Sequence, residues 1–522
     1  METFLSIHQD DVVGTLSMFD RMIFKGYLTG FFPKGAFGAY LSRQGVLLKD
    51  FSSFVQERTK TLKAHLEHMA QAVGRPLQYL SSPKGLSKED LARTIVERDG
   101  VTEGLVCVFS VLETCMSFDV QGNRQSHKLE VVRRQRKCLH YYCYYLDAEF
   151  GLMHIRLQSW FPFDIQIYVN GREWLARQLD QRGIRYDRYD NKLIHIADLE
   201  TAQTLCERFT RRKWLRVLHA LARRVNPFLR DIRKAGFGDY YWTLAQVEYA
   251  TDVFFRDRAT LEALLPALME TSLTAFSAED VLRFLGRKPH GNFQGQVTTD
   301  RKKRPEGRRV KHRMKGNSIK WYDAVNLLRV ETTINQPREF RVLRLVDTPQ
   351  GRKRRWQAMG KGVANLWRYA QVGRQANYRY LNALAHAQPT GKAIAELEGL
   401  CHPKINQGQR YARFNPITQA DCDLFSATLA GEHALNGFRN KNLQAYLYPK
   451  PAKTHTEQRQ RSAHVTRLVA KLRGHGLISK VKGSRLYRST LRGTRLMSAA
   501  IQCRNKTFPA YAMQGAESSL LA

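Results

Sequence analysis

The sequence predicts a multi-domain protein of the α/β (α+β) class, and three observations carry that prediction. Residues 1–235 alternate strand-like and helix-like patterns, the mark of a mixed α/β domain. Residues 236–346 follow the same alternation on a smaller, palm-like scale. Residues 413–505 run helix, helix, basic helix and hairpin, the order of a winged helix. A hairpin and helical connector are expected at 347–412, and a tail at 506–522. With 522 residues, 43% of them hydrophobic and 11% aromatic, the chain can bury several cores and is not a disordered one.

In the first domain, Asp11 to Leu28 leans to strand, and a helix follows from about Leu48 to Val73. Ser87 and Asp90 have capping-box spacing for a helix that ends near Asp99. Gly104 to Leu112 (GLVCVFSVL) is short, apolar and β-branched, the composition of a buried central strand. Leu139 to Leu146 and Leu152 to Trp160 flank a turn at Asp147 to Gly151, which predicts a hairpin. Ile165 to Val169 adds a strand that enters a helix through Asn170-Gly171. One basic helix is expected over about Leu199 to Arg224, stopping before Pro227.

In the second unit, Gln246 to Phe255, Ser318 to Tyr322 and Leu327 to Ile334 read as strands and Ala259 to Met269 as a helix. Arg301 to Lys315, with nine Lys or Arg and one Glu, reads as a basic loop. A hairpin is expected around Thr348 to Gly351, with more basic residues at Arg352 to Arg355, and a helical connector from Val363 to about Ala387. In the last domain Thr418 and Asp421 are spaced as a capping box for a helix closed by Gly431. A short helix follows from about Asn440 to Leu447, and a third begins near Ser462. Its apolar positions Val465, Leu468, Val469 and Leu472 share one face, leaving Arg461, His464, Arg467 and Lys471 on the other. Ile478 to Val481, a Lys482-Gly483-Ser484 turn and Arg485 to Arg488 then form the wing.

Charge supplies the functional argument. Lys and Arg number 84 against 47 acidic residues, a formal net of +37. A surplus that large, spread along a folded chain, repels itself unless a polyanion neutralises it. Nucleic acid is the expected partner, DNA before RNA; an anionic membrane surface and simple solubility are the alternatives. A helix fits the major groove, so Arg461, His464, Arg467 and Lys471 are the expected base readers. Lys480, Lys482, Arg485 and Arg488 would meet phosphates beside it. Lys302, Lys303, Arg304, Arg308, Arg309, Lys311 and Arg313 would extend the footprint, and a homodimer is one expected assembly.

No apolar run approaches 18 residues, so no membrane span is expected. Met1 to Gln9 is neither basic nor followed by a long apolar stretch, and the eight cysteines include no Cys-x-x-Cys pair. A cytoplasmic protein with reduced thiols is therefore expected. A zinc site from Cys138, His140, Cys143 and His154 has a spacing that matches no common zinc pattern.

Metal-dependent phosphodiester chemistry needs two or three converging carboxylates. Asp20, Glu113, Asp119, Asp147, Glu149, Asp252, Asp323 and Glu331 lie where strands end or turn, and Glu248 shares a strand face with Asp252. Asp20, Glu113 and Asp147 are the candidate catalytic set, holding Mg²⁺ if the chain is a nuclease or strand-transfer enzyme. RNase H-like folds place one carboxylate in the first strand and another at the end of the fourth, positions that Asp20 and Glu113 suit. Tyr141, Tyr142, Tyr144 and Tyr145, beside His154 and Arg156, either stack unpaired bases, as an RNA-binding protein would, or fill the core.

Three resemblances accompany these readings. The segment VTRLVAKLRGHGLISKVKGSRLYRSTLRGTRL resembles the recognition helix and wing of MarR- and ArsR-type regulators, which implies a DNA-facing wing. Segments QVEYATDVFF and NSIKWYDAVNLLRVETTIN resemble parts of phage and plasmid replication initiators, without the His-hydrophobic-His metal motif of those enzymes. FGLMHIRLQSWFPFDIQIYVNGREWLARQLD, HGNFQGQV and GNSIKWYDAVNLLRVETTIN resemble a widespread bacterial family of similar length, which implies no particular activity. Together they imply a mobile-element, replication-initiation or regulatory role.

Overall fold

A computed structural model describes residues 2–81, 87–287, 297–304, 307–349, 351–385, 397–406, 408–416, 418–481, 483–501 and 504. The fold is mixed α/β with a large mixed sheet. Two compact units are each assembled from separated stretches: 15–251 with 331–374, and 1–14 with 252–330 and 375–522.

The unit containing residues 15–251 is built on long strands: β1 (Val12–Tyr27), β2 (Gln78–Tyr79), β3 (Gly104–Asn123), β4 (Lys128–Asp147), β5 (Gly151–Gln158) and β6 (Ile165–Asn170). A separate ribbon of β7 (Tyr186–Tyr189) and β8 (Lys192–Ile196) precedes β9 (Tyr241–Phe255). Strand order runs β9-β1-β6-β5-β4-β3-β2. The period of two decides which side chains are buried. Phe24, Ile167, Ile155 and Cys143 stand opposite one another in register on four strands, and all are fully buried. Met18 of the same face meets Cys206, and Trp214 stacks on Phe24 at 5.0 Å.

Cys206 and Trp214 belong to different helices. The expected single basic helix is two, Leu199–Thr210 and Trp214–Val225. Residues 211–213 break it so that Trp214 can turn inward, its Nε1 donating to Phe209 O at 3.2 Å. The tyrosine-rich strand is also more buried than a stacking platform would be. Tyr141, Tyr144 and Tyr145 are buried, and half-buried Tyr142 donates to Glu113 Oε1 at 2.6 Å.

The second unit holds β10 (Thr298–Arg304), β11 (Gly307–Met314), β12 (Asn317–Ala324) and the first half of β13 (Leu327–Ile334), whose residues from Glu331 onward belong to the first unit; these strands follow the order β10-β11-β12-β13. The expected basic loop at 301–315 is thus a regular hairpin, in which Lys302 pairs with Arg309 and Lys303 with Arg308. Strand formation follows from the other face, where Val310, His312 and Met314 alternate into the core. His312 is buried with Nδ1 at 2.9 Å from Thr299 Oγ1 and Nε2 at 2.7 Å from Tyr380 Oη. Burial lowers its pKa from the usual 6.5 to about 4. The unfolded chain therefore binds this proton first, and stability falls as pH drops from 6.5 toward 4. Thermal unfolding across that window should show a loss on the order of 3 kcal/mol, and His312→Asn should flatten it.

The C-terminal part of this unit carries helices Gln419–Leu429, Gly431–Asn436, Asn440–Leu447 and His455–Gly474. Its strands and those before it are β14 (Arg341–Thr348), β15 (Gly351–Ala358), β16 (Lys404–Asn406), β17 (Gln409–Tyr411), β18 (Ile478–Lys480) and β19 (Tyr487–Ser489), the first two belonging to the other unit. One apolar cluster joins Phe414, Phe425, Phe438, Leu443, Val465, Val469, Leu472 and Ile478. A bridge between Phe438 and Tyr487 adds a third strand position to the β18–β19 pair. Thr454 caps the long helix by accepting from Glu457 N, so it begins two turns before Ser462. Gly474 lies so close to the Tyr411 ring that a Cβ would collide, and Gly476 takes a left-handed φ of 72° after the helix.

Two local expectations fail here. The Thr418 side chain makes no capping bond, because Asp421 instead accepts from Asn415 N at 2.7 Å and meets Lys471. Gly431 opens the next helix, where Asp280 leaves no room for a side chain. No helix among the described residues is long and apolar enough to cross a membrane.

Candidate carboxylate centre and nucleic-acid interface

Asp20 lies in the middle of β1 and is 2% exposed. Glu248 on β9 and Glu331 on β13 join it, with one carboxylate oxygen from each within 4.8 Å of the others. Glu331 is 1% exposed and Glu248 half-buried. Asp20 is held by a chain of amides. Its Oδ1 accepts from Asn191 Nδ2 at 2.7 Å, and Asn191 Oδ1 accepts from Asn170 Nδ2 at 2.7 Å. Asn170 is fixed in turn because its Oδ1 caps the helix at Gly171–Asp180. Gln246 Nε2 donates to Glu248 Oε1 at 2.8 Å.

Carboxylates this close repel one another unless positive charge stands near. Arg21 supplies some of it. Burial works against its charge, yet Tyr168, Asp20 and Glu248 push its pKa up. The donor set itself is three hard oxygens, which suits Mg²⁺ or Mn²⁺ and not a soft metal.

The other two expected catalytic residues lie elsewhere. Glu113, on β3, accepts from Tyr142 and from Arg156 at 2.9 Å, with Lys88 Nζ at 3.9 Å. Tyr142 and Arg156 overcome its burial and lower its pKa. β3 stands four places from β1 in the strand order, so Glu113 has no route to Asp20. Asp147 accepts from Glu149 N and Phe150 N in its own turn and pairs with Arg224 at 3.1 Å. Both have structural work.

The basic residues of the long helix also divide. Lys471 is turned inward, 3.3 Å from Asp421 and 3.9 Å above the Phe414 ring. Arg461 donates to Lys450 O at 2.6 Å, pairs with Glu457 and lies over Tyr448. His464 Nδ1 is 2.7 Å from Tyr448 Oη. Arg467 is exposed and makes no ion pair among the described residues. Lys480, Arg485 and Arg488 are exposed on the hairpin, while Lys482 lies outside the described residues.

A groove beside the helix is lined by Arg439, Lys441, Arg473 and Arg485, with Thr466, Val469, Ala470 and Tyr487 between them. No acidic residue lines it among the described residues. Three of those cations were absent from the sequence-based set. Their signal was position: Arg439 and Lys441 flank the start of a helix, and Arg473 shares a face with Thr466.

No family model, curated protein or solved structure matches the chain. The site residues are therefore read from their own geometry.

In the β10–β11 hairpin, Lys302, Lys303 and Arg313 are exposed, and Arg308 is half-buried. Arg309 pairs with Asp300 at 3.2 Å, Lys311 is half-buried, and the Arg304 side chain lies outside the described residues. The thiols also gather differently from the expectation. Cys143 alternates to the opposite face of β4, and Cys115 comes to Cys138 instead, Sγ to Sγ 2.7 Å, with His140 beside them.

Proposed function

We propose that this chain binds duplex DNA through a winged helix at 413–505. The observation that carries the reading is the groove whose Arg439, Lys441, Arg473 and Arg485 make no ion pair among the described residues. Converging cations with no acid in the groove lining repel one another and attract a phosphate backbone. The helix His455–Gly474 followed by β18, a turn and β19 supplies the frame, and Phe438 bridging to Tyr487 completes it. Arg467 is the side chain of the expected reading face that remains available to base edges.

Fluorescence anisotropy with a labelled duplex tests this. Arg473→Ala with Arg485→Ala should weaken binding roughly tenfold or more and flatten the log K against log salt slope by about two. Lys471→Ala should leave the slope unchanged and lower stability by about 1 kcal/mol, because its contacts are internal. Equal slopes for all three proteins would dismiss this surface.

The convergence of Asp20, Glu248 and Glu331 favours a second reading, Mg²⁺-dependent phosphodiester cleavage or strand transfer. A metal bound there would polarise a phosphoryl oxygen and activate a nucleophile. This chain's residues would hold it, with Asn191 and Asn170 fixing Asp20 and Gln246 fixing Glu248.

A further inference from the structure

β14 and β15 form a two-stranded sheet of their own. Its two eight-residue strands pair along their whole length, from Arg341 opposite Ala358 to Thr348 opposite Gly351. At about 3.4 Å per residue the ribbon reaches about 25 Å. Every residue of β15 is exposed. Between 341 and 358 stand Arg341, Arg344, Arg352, Lys353, Arg354 and Arg355 against one acid, Asp347.

The two faces of the ribbon differ. Val342 is buried, and Arg344 of the same face donates to Asn365 Oδ1 at 2.6 Å, so this face packs at its base. The opposite face carries Leu343, Leu345, Arg354 and Trp356, paired in register as Leu343 with Trp356 and Leu345 with Arg354. Leu345 is 64% and Trp356 55% exposed. Arg368 lies 5.3 Å over the Trp356 ring, and the rest of this exposed apolar face, Leu345 above all, asks for a partner whose charge the surrounding cations decide. A second copy of the same ribbon would bring like charge against like. A polyanion would not.

We propose that the β14–β15 ribbon is a second DNA-contacting element, entering the major groove with the Leu343, Leu345, Arg354 and Trp356 face toward the bases. A two-stranded ribbon fits that groove, where apolar side chains meet thymine methyl groups and arginine meets guanine. Lys353 and Arg355, on the other face, lie within reach of the flanking phosphates. The inference rests on the reading that the chain binds duplex DNA.

The test is salt-titrated anisotropy of the full chain on a 25-base-pair duplex. Arg354→Ala with Arg355→Ala should flatten the salt slope by about one, through the phosphate contact of Arg355. Trp356→Ala with Leu345→Ser should weaken binding about tenfold and leave the slope alone. Because these side chains are exposed, an unchanged Tm will show that the variants fold. Wild-type affinity and slope in both double variants would overturn the ribbon's role while leaving the groove's role standing. So would a dimer that Trp356→Ala converts to monomer without loss of DNA affinity. A wild-type chain that binds no duplex would overturn the underlying reading as well.

Discussion

If the Asp20–Glu248–Glu331 centre cleaves DNA with Mg²⁺ as proposed, Asp20→Asn should reduce that cleavage by roughly 10²–10⁴-fold, because a metal's charge stabilisation is worth several kcal/mol and 1.36 kcal/mol is tenfold. Asparagine keeps the size and the bond to Asn191 but removes the charge. Glu331→Gln should do the same. Asn191→Ala should act more gently, lowering apparent metal affinity about 10–100-fold, since it positions Asp20 and would not itself hold the cation. Glu113→Gln is the informative control: its partners are Tyr142, Arg156 and Lys88, so cleavage should persist while stability drops. Loss of cleavage in Glu113→Gln with activity retained in Asp20→Asn would reverse the assignment.

Arg329→Met should cost about 3–5 kcal/mol of stability. Arg329 is 1% and Asp252 0% exposed, and they form a two-pronged pair at 2.6 and 3.0 Å. Removing the guanidinium leaves a carboxylate in a dry interior, which is the costly half of breaking such a pair. Replacing both, Arg329→Met with Asp252→Leu, should recover much of the loss, because apolar groups of similar volume need no counter-charge. Chemical denaturation of the three proteins measures the cycle. A double variant as unstable as the single one would show that neighbours other than Asp252 set the value of Arg329.

How much of this was legible in the sequence depends on the range of the interaction. Local signals read well. Ser87 caps its helix by accepting from Asp90 N, the helix Asn440–Leu447 lies where expected, and the strand at Leu327–Ile334 matches. Asp20 was a candidate because it falls in the first expected strand, Asp11 to Leu28. Its partners were not singled out with it, because Glu248 and Glu331 reach it only through the strand order, from more than 200 residues away.

Errors of a second kind came from charge. The run at 301–315 looked too basic for a strand, yet Val310, His312 and Met314 supply one buried face. The long helix looked shorter than it is because residues 455–461 are polar, and capping by Thr454 set its start. Helical periodicity placed Lys471 outside, where an acid across the interface, Asp421, draws it in. Side-chain partners from other elements carry no signature in a window of eighteen residues.

The most direct test of the central claim compares duplex DNA with structured RNA of equal length, bound by the unmodified full chain over a salt series. Docking through the groove predicts tighter binding to DNA at matched salt, with a log–log slope of about −4 or steeper, as expected if each groove cation releases its counterion. A slope near zero, or tighter binding to RNA across the series, would contradict it.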